Sequence, residues 1–176
     1  IEKVPRHLFV GKVQRPFAYG DNPLPIGHGQ TISQPYIVAF MTEMLNIQSH
    51  HTVLEIGTGC GYQAAILSLL VKKVISLEIV KTLANSTKKR LKKLNYQNIE
   101  VFCFNGKKGW VNEAPYDRII TTAAPTQVPD ALIEQLAPNG QMVIPVGPDV
   151  NHQYLHIITK NKRGFIQTKQ SLPVRF

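Results

Sequence analysis

The sequence predicts an α/β fold built on a doubly wound, mostly parallel β-sheet with an antiparallel hairpin at its C-terminal end. From residue 52 onward, short apolar runs alternate with helical patterns, which indicates parallel strands joined by crossover helices. Near the end, NKRG at 161–164 separates two segments of alternating polarity, which is typical of a hairpin at a sheet edge. A chain of 176 residues has the length of one domain, 1–176, with a substantial core.

Three sections follow from this pattern. Residues 1–50 form an N-terminal helical section that contains a Gly- and Pro-rich loop, PLPIGHGQTISQP at 23–35, and ends in a predicted helix at 35–45. Residues 51–147 form the core, and residues 148–176 contain the hairpin.

Short apolar runs bounded by turn signals predict buried strands in the core. The predicted strands are 52–57, 74–79, 99–104, 117–122 and 141–147. The patterns between them predict helices at 62–70, 80–94 and 128–136, and Pro138 stops the last helix.

The composition is that of a globular protein with an excess of positive charge. Hydrophobic residues make up 43%, and no apolar run approaches the roughly 20 residues that a bilayer requires. The first residues lack the features of a signal peptide, so a cytoplasmic location is expected. The net charge of +9 leaves nucleic acid, anionic surfaces and acidic substrates open. Its densest cluster, KKRLKK at 88–93, has no interleaved aromatic residues, which favours a solvated helix face.

Neither a disulfide framework nor a metal site is expected. Cys60 and Cys103 are the only cysteines. His152 and His156 lie in a predicted strand, where four residues span about 13 Å, too far to share one ion.

A glycine-rich loop follows the first core strand. In LEIGTGCGY at 54–62, the glycines permit tight turns and close approach of a ligand, and the next helix offers its free amides. Glu78 ends the second core strand about 20 residues later, where a carboxylate accepts both ribose hydroxyls of an adenosine. Loop and carboxylate together predict an adenosine-containing ligand.

The spacing of the loop indicates which adenosine ligand is bound. A dinucleotide loop places two residues before its last glycine, whereas this loop reads G-x-G-x-G. Glu55 precedes the loop by two residues, poorly placed for a phosphate and well suited to an ammonium group. S-adenosyl-L-methionine carries an ammonium group and no phosphate. These features favour a Rossmann-like class I S-adenosylmethionine-dependent methyltransferase over a dehydrogenase.

The region after the fourth core strand argues against a nucleobase as the methyl acceptor. Enzymes that methylate a base amino group usually place Asn or Asp with Pro-Pro-aromatic here, whereas this chain has TTAAPTQVP at 121–129. No general base is evident near the loops either. A carboxylate acceptor explains its absence because, with a reference pKa of about 4, it is already ionised at pH 7 and needs only positioning and desolvation.

The chain resembles the protein-L-isoaspartate (D-aspartate) O-methyltransferase family nearly from end to end. The matching segments are VPRHLFV, AYGDNPLPIGHGQTISQPYIVAFMTEML, VLEIGTGCGYQAA, the GxxGW of NGKKGW, APYDRIITTAAPTQVPDALIEQLAPNG, MVIPVG and PVRF. The resemblance implies methyl transfer from S-adenosyl-L-methionine, leaving S-adenosyl-L-homocysteine, to the free carboxyl of L-isoaspartyl and D-aspartyl residues in damaged proteins. Such transfer initiates repair through a succinimide. We expect damaged proteins or peptides as partners, a monomer, and no metal, membrane or nucleic acid.

Carried over residue by residue, the resemblance places the active-site serine at Ser33. Together with the residues argued above, the expected cofactor-binding set is Thr31, Ile32, Ser33, Glu55, Gly57, Thr58, Gly59, Gly61, Glu78, Ile79, Asn105 and Gly106. The expected substrate-binding set is Ile26, Thr31, Ser33 and Val174. Taken alone, Ser33 also fits a helix N-cap before Gln34 and Pro35, and the two roles are compatible.

Departures from the family pattern leave other functions open. Asn105 stands where the family usually has Asp, so its side chain keeps a carbonyl oxygen but loses the charge, and cofactor affinity is expected to be lower. Family members also commonly extend further at both ends. The alternatives are aspartate methylation of a modified peptide, a nucleic-acid methyltransferase, and a weakly active or inactive cofactor-binding homologue.

Overall fold

The N-terminal section contains little α-helix. The computed structural model describes all residues, 1–176. Two short 3-10 helices, Arg6–Leu8 and Lys12–Phe17, lead into a two-stranded antiparallel hairpin of β1 (Leu24–Gly27) and β2 (Gln30–Ile32). Helix α1 (Pro35–Met44) follows. The section was expected to be helical with one loop, and the hairpin corrects that expectation.

The remaining chain alternates strands and helices in the predicted order. The elements are β3 (Thr52–Ile56), α2 (Tyr62–Ser68), β4 (Lys73–Glu78), α3 (Lys81–Lys93), β5 (Ile99–Cys103), β6 (Tyr116–Thr121), α4 (Asp130–Glu134), β7 (Leu136–Val146), β8 (Gln153–Lys160) and β9 (Ile166–Val174). Short 3-10 helices at Gly106–Lys108 and Val111–Glu113 lie between β5 and β6.

These strands form one seven-stranded sheet in the order β5-β4-β3-β6-β7-β8-β9. Strands β3 to β7 are parallel, and β8 and β9 add an antiparallel hairpin at one edge. The predicted fold class is therefore confirmed. Because β3 pairs with β4 on one side and with β6 on the other, the strand order reverses beside it, which is where open α/β sheets bind ligands.

Both faces of the sheet are covered. Val53 and Leu54 are adjacent in β3 and both 0% exposed, so their side chains are buried on opposite faces. The face of Val53 packs against Met41 of α1 and residues of α2, and the face of Leu54 packs against Leu132 of α4. This burial fixes the strand ends, and with them the loops of the site.

The boundary between α4 and β7 differs from the prediction. The expected helix 128–136 is reduced to Asp130–Glu134, and β7 begins at Leu136 instead of residue 141. Leu136 pairs with Tyr116 across an irregular register, so the chain enters the sheet before Pro138. Cooperative pairing with β6 therefore overrides the local helical pattern.

Candidate functional site

A cavity of about 340 Å³, here called the edge cavity, opens at the carboxyl edge of the parallel strands. It is formed by the loops after β3, β4, β5 and β6 together with the β2–α1 junction. Most predicted cofactor residues line it, namely Thr31, Ile32, Ser33, Gly57, Thr58, Gly59, Glu78, Ile79, Asn105 and Gly106. Its volume lies within the usual range for small-molecule sites.

The first glycine of the loop permits a close approach that no other residue allows. Gly57 has φ 96° and accepts a hydrogen bond from the Thr122 hydroxyl at 2.6 Å. A Cβ at Gly57 would lie 2.5 Å from that hydroxyl oxygen. The loop after β3 is thereby held against the chain that follows β6.

Glu78 binds the glycine loop from the end of β4. Its Oε2 accepts a hydrogen bond from the Gly59 amide at 2.8 Å, and its Oε1 accepts one from the Val80 amide at 2.9 Å. The side chain lines the edge cavity although the residue is only 6% exposed. Each carboxylate oxygen keeps a further lone pair, so the geometry is compatible with the predicted ribose contact.

Glu55 lies beneath the loop, away from the edge cavity. It is 0% exposed and accepts a hydrogen bond from the Ser76 hydroxyl, which is 2.6 Å from the Thr58 hydroxyl. Burial raises the pKa of Glu55 to about 8. The expected direct contact between Glu55 and a ligand ammonium group does not agree with this placement, because the side chain supports Thr58 from below.

Gly61 also acts outside the cavity lining. It has φ 87° and precedes α2, and a Cβ there would lie 2.7 Å from Thr87 Cγ2 of α3. Gly61 was expected to bind the cofactor; in the structure it packs α2 against α3 and does not line the edge cavity.

Asn105 and Gly106 close the cavity on the β5 side. The Asn105 Oδ1 accepts a hydrogen bond from the Lys107 amide at 3.1 Å. A Cβ at Gly106 would lie 2.1 Å from Ile56 Cγ2, so only glycine fits against β3 here. The Asn105 side chain is exposed at the rim, with its amide nitrogen free of protein partners.

The Ser33 hydroxyl is not a helix cap. Gln34 is the N-cap residue of α1, and its side chain makes no capping hydrogen bond. The Tyr36 amide instead donates to Asp21 Oδ1 at 2.9 Å, so a carboxylate from a distant loop caps the helix. The N-cap interpretation of Ser33 is therefore wrong, and Ser33, whose hydroxyl bonds no protein group, lines the edge cavity.

A second cavity of about 860 Å³, here called the groove, adjoins the edge cavity. The two share Thr31, Ser33 and Thr122 among their lining residues. The end of β9 forms the far wall with Val174 and Arg175. No Asp, Glu or His side chain lines the groove.

Ile26 was expected to contact substrate, but it lines neither cavity. Its side chain packs over the glycine loop, since a Cβ at Gly59 would lie 3.3 Å from Ile26 Cδ1. Hairpin β1–β2 therefore covers the loop, and Ile26 lies over the glycine loop instead of in either cavity.

Two residues at the site carry no local sequence signal. Asp21 caps α1 across 15 positions of the chain, and Arg6 is 1% exposed and donates to the Ser33 carbonyl at 2.8 Å. Both act through contacts that exist only after folding, so no spacing or periodicity indicates them.

The family model for protein-L-isoaspartate (D-aspartate) O-methyltransferase matches residues 1–176. This chain belongs to that family. It is 51% identical over 174 residues to protein-L-isoaspartate O-methyltransferase 2 of Syntrophobacter fumaroxidans, covering 99% of this chain and 70% of the relative. It is 50% identical to protein-L-isoaspartate O-methyltransferase 2 of Archaeoglobus fulgidus, of which it covers 81%.

Solved structures of the same family share the fold. A protein-L-isoaspartate O-methyltransferase superposes with a TM-score of 0.90 at 27% identity over 99% of this chain. This chain spans 57% of that structure's length. A second family structure, from Plasmodium falciparum in complex with S-adenosyl-L-homocysteine, has a TM-score of 0.82 at 28% identity and is 85% covered. The resemblance drawn from the sequence is confirmed.

Two further observations concern metal ligands and membrane-spanning helices in this protein-L-isoaspartate O-methyltransferase family member. No group of three or more His, Cys, Asp or Glu side chains is arranged to hold a metal ion. None of its helices combines the length and apolar character needed to cross a bilayer.

Proposed function

We propose that this chain binds S-adenosyl-L-methionine in the edge cavity and transfers its methyl group to the free carboxyl of L-isoaspartyl and D-aspartyl residues. The bound cofactor supplies a methyl group on a cationic sulfur. The residues of the cavity fit it: Glu78 offers a carboxylate for the ribose, and the Gln63 Oε1 is a buried acceptor without a partner. A buried acceptor in need of a donor suits the ammonium group of this cofactor.

The groove fits an anionic acceptor. A carboxylate is ionised at neutral pH and needs hydrogen-bond donors, not a general base, to become an aligned nucleophile. The Ser33 hydroxyl is a free donor where the groove meets the edge cavity, and no Asp, Glu or His side chain lines the groove. Ser33 therefore binds and orients the carboxyl group, while the walls exclude water from it.

One observation carries the proposal: the edge cavity and the groove meet at Thr31, Ser33 and Thr122. A cofactor held by the strand-edge loops and a peptide lying in the groove have their reacting groups side by side at this junction. The P. falciparum relative, whose structure holds S-adenosyl-L-homocysteine, supports the cofactor part of the proposal.

The test is base-labile incorporation of labelled methyl groups into an isoaspartyl peptide, with its normal aspartyl twin as the matched control. We expect transfer to the isoaspartyl peptide alone. Transfer to a constrained aspartyl peptide would instead support aspartate methylation of a modified peptide, and transfer to RNA would support a nucleic-acid enzyme. Binding of S-adenosyl-L-homocysteine without transfer to any acceptor would identify an inactive homologue and defeat the proposal.

We further propose damaged proteins as the natural substrates, a monomer, and a cytoplasmic location. Both cysteines are free, and the exposed one, Cys103, suits a reducing compartment. Burial raises the pKa of the other, Cys60, to about 11, which keeps its thiol unreactive beside the loop. Light scattering at several protein concentrations measures the oligomeric state.

A further inference from the structure

We propose that Arg6 is a positioning residue that orients Ser33 for the carboxyl group of the substrate. The inference rests on the function proposed above. It starts from the position of Arg6, which is 1% exposed and has no carboxylate within ion-pair distance, although it lies in a short 3-10 helix near the start of the chain. A buried cation without an ion partner is rare because its desolvation is costly.

Three backbone carbonyl groups take the place of an ion partner. The guanidinium donates from Nε to Ala18 at 2.8 Å, from Nη2 to Asn22 at 3.1 Å and from Nη1 to Ser33 at 2.8 Å. Ala18 and Asn22 lie in the segment before β1, and Ser33 follows β2, so the acceptors flank hairpin β1–β2 on both sides. A guanidinium is planar and rigid, so it can donate to all three carbonyl groups only when the segments that carry them are held in one relative position. Arg6 therefore fixes these segments relative to one another.

The same guanidinium contacts the cofactor side of the site. Its central carbon lies 5.1 Å from the ring centroid of Tyr62, the first residue of α2 after the glycine loop. Tyr62 lines the edge cavity. Arg6 therefore connects the segment that carries Ser33 to the helix that follows the cofactor loop.

The contact to Ser33 is the one with a catalytic consequence. A hydrogen bond to its carbonyl ties the backbone of Ser33 to the buried guanidinium, and so fixes the position from which the serine side chain extends. The hydroxyl itself has no protein partner to hold it. A shift of this backbone moves the hydroxyl away from the carboxyl group and weakens the hydrogen bond between them, so the substrate binds less tightly, by roughly tenfold.

The test compares Arg6→Lys with Arg118→Lys. Arg118 is also buried, at 8% exposed, and donates to the carbonyl groups of Leu45 at 2.6 Å, Asn46 at 3.0 Å and Asp117 at 2.7 Å. It lies near the amino end of β6, at the opposite edge of the sheet from the cavities. Both variants keep the positive charge but replace the planar guanidinium and its several donors by a single ammonium group. They should therefore lower the melting temperature comparably.

Only Arg6→Lys should raise KM for the isoaspartyl peptide, by roughly tenfold, with the affinity for S-adenosyl-L-homocysteine changed much less. If Arg6 acts through Ser33, Arg6→Lys should add little in a Ser33→Ala background. Independent, multiplying effects of the two substitutions, or equal KM changes in the two lysine variants, would overturn the proposal.

Hydrogen exchange provides a readout that does not depend on activity. Arg6→Lys should accelerate amide exchange in residues 30–34, whereas Arg118→Lys should leave that segment unchanged. Unchanged exchange there in Arg6→Lys would refute the positioning role even if the wild-type chain methylated nothing. Absence of methyl transfer by the wild type, with faster exchange in Arg6→Lys, would refute the proposed function alone.

Discussion

Asn105 lies at the rim of the edge cavity, at a position where the family usually has Asp. Its amide side chain has a carbonyl oxygen that can accept a hydrogen bond, but it lacks the negative charge of a carboxylate. Replacing it by aspartate should strengthen an interaction with a donor on the cofactor, since charge-assisted hydrogen bonds are about twice as strong as neutral ones. The side chain can still accept from the Lys107 amide at 3.1 Å, so the local turn should persist. We expect Asn105→Asp to tighten S-adenosyl-L-homocysteine binding roughly fivefold in calorimetry.

The matched control for this substitution is Asn95→Asp. Asn95 is also exposed but lies after α3, outside the edge cavity and the groove. Its replacement by aspartate changes the net charge by the same amount as Asn105→Asp. Equal gains in the two variants would indicate a long-range effect of charge and contradict a local contact at Asn105.

Residue roles were predictable from the sequence where they depend on short spacing. Glu78 ends a strand soon after a glycine loop, and that placement alone indicates its position at the edge cavity. Glu55 shows the limit of such reasoning, because only the packed structure reveals that its side chain points beneath the loop toward Ser76. The role of Arg6 could not be predicted from the sequence at all, because the three carbonyl groups that accept its hydrogen bonds lie 12, 16 and 27 residues away in the chain.

At the scale of elements, Gly61 links the glycine loop to the packing of α2 on α3. An alanine there combines an unfavourable positive φ of 87° with a contact of 2.7 Å to Thr87 Cγ2. Gly61→Ala should lower the free energy of unfolding by about 1–3 kcal/mol and weaken S-adenosyl-L-homocysteine binding, because α2 and the loop must shift.

Gly164→Ala separates these two causes. Gly164 has a similar φ of 85°, but nothing lies within 4 Å of the Cβ it would carry. It should show the backbone strain alone, with cofactor binding unchanged. Denaturant unfolding and calorimetry on both variants measure the difference, and equal losses of stability with unchanged binding in both would disprove the packing role of Gly61.

The elements themselves were predictable to different degrees. The parallel strands carry continuous apolar runs because both faces of the sheet are buried, and this signal is local. Hairpin β1–β2 has no such signal, since its short strands are mostly exposed and its turn uses positive φ at Gly27, His28 and Gly29. Its position depends on tertiary packing, because Ile26 of the hairpin lies over the glycine loop.

At the scale of the whole molecule, the buried Glu55 couples the stability of the fold to pH. Burial raises its pKa from 4.5 to about 8, so between these values the folded chain holds a proton that the unfolded chain has released. The contribution of Glu55 to the free energy of unfolding is therefore full below pH 4.5 and falls as pH rises towards 8. Each pKa unit corresponds to about 1.4 kcal/mol, which makes the expected loss on the order of a few kcal/mol.

Glu55→Gln tests this coupling, because an amide keeps the size and the hydrogen bond to Ser76 but cannot ionise. We expect the variant to gain stability relative to the wild type as pH rises from 5 to 8 in denaturant titrations. Glu113→Gln is the control: its carboxylate forms an ion pair with Lys73 at 2.6 Å and is partly exposed, so its removal should produce no such gain. Parallel stability curves for Glu55→Gln and the wild type across this range would show that Glu55 is already ionised in the fold, and its place beneath Thr58 would then require a hidden cation or water.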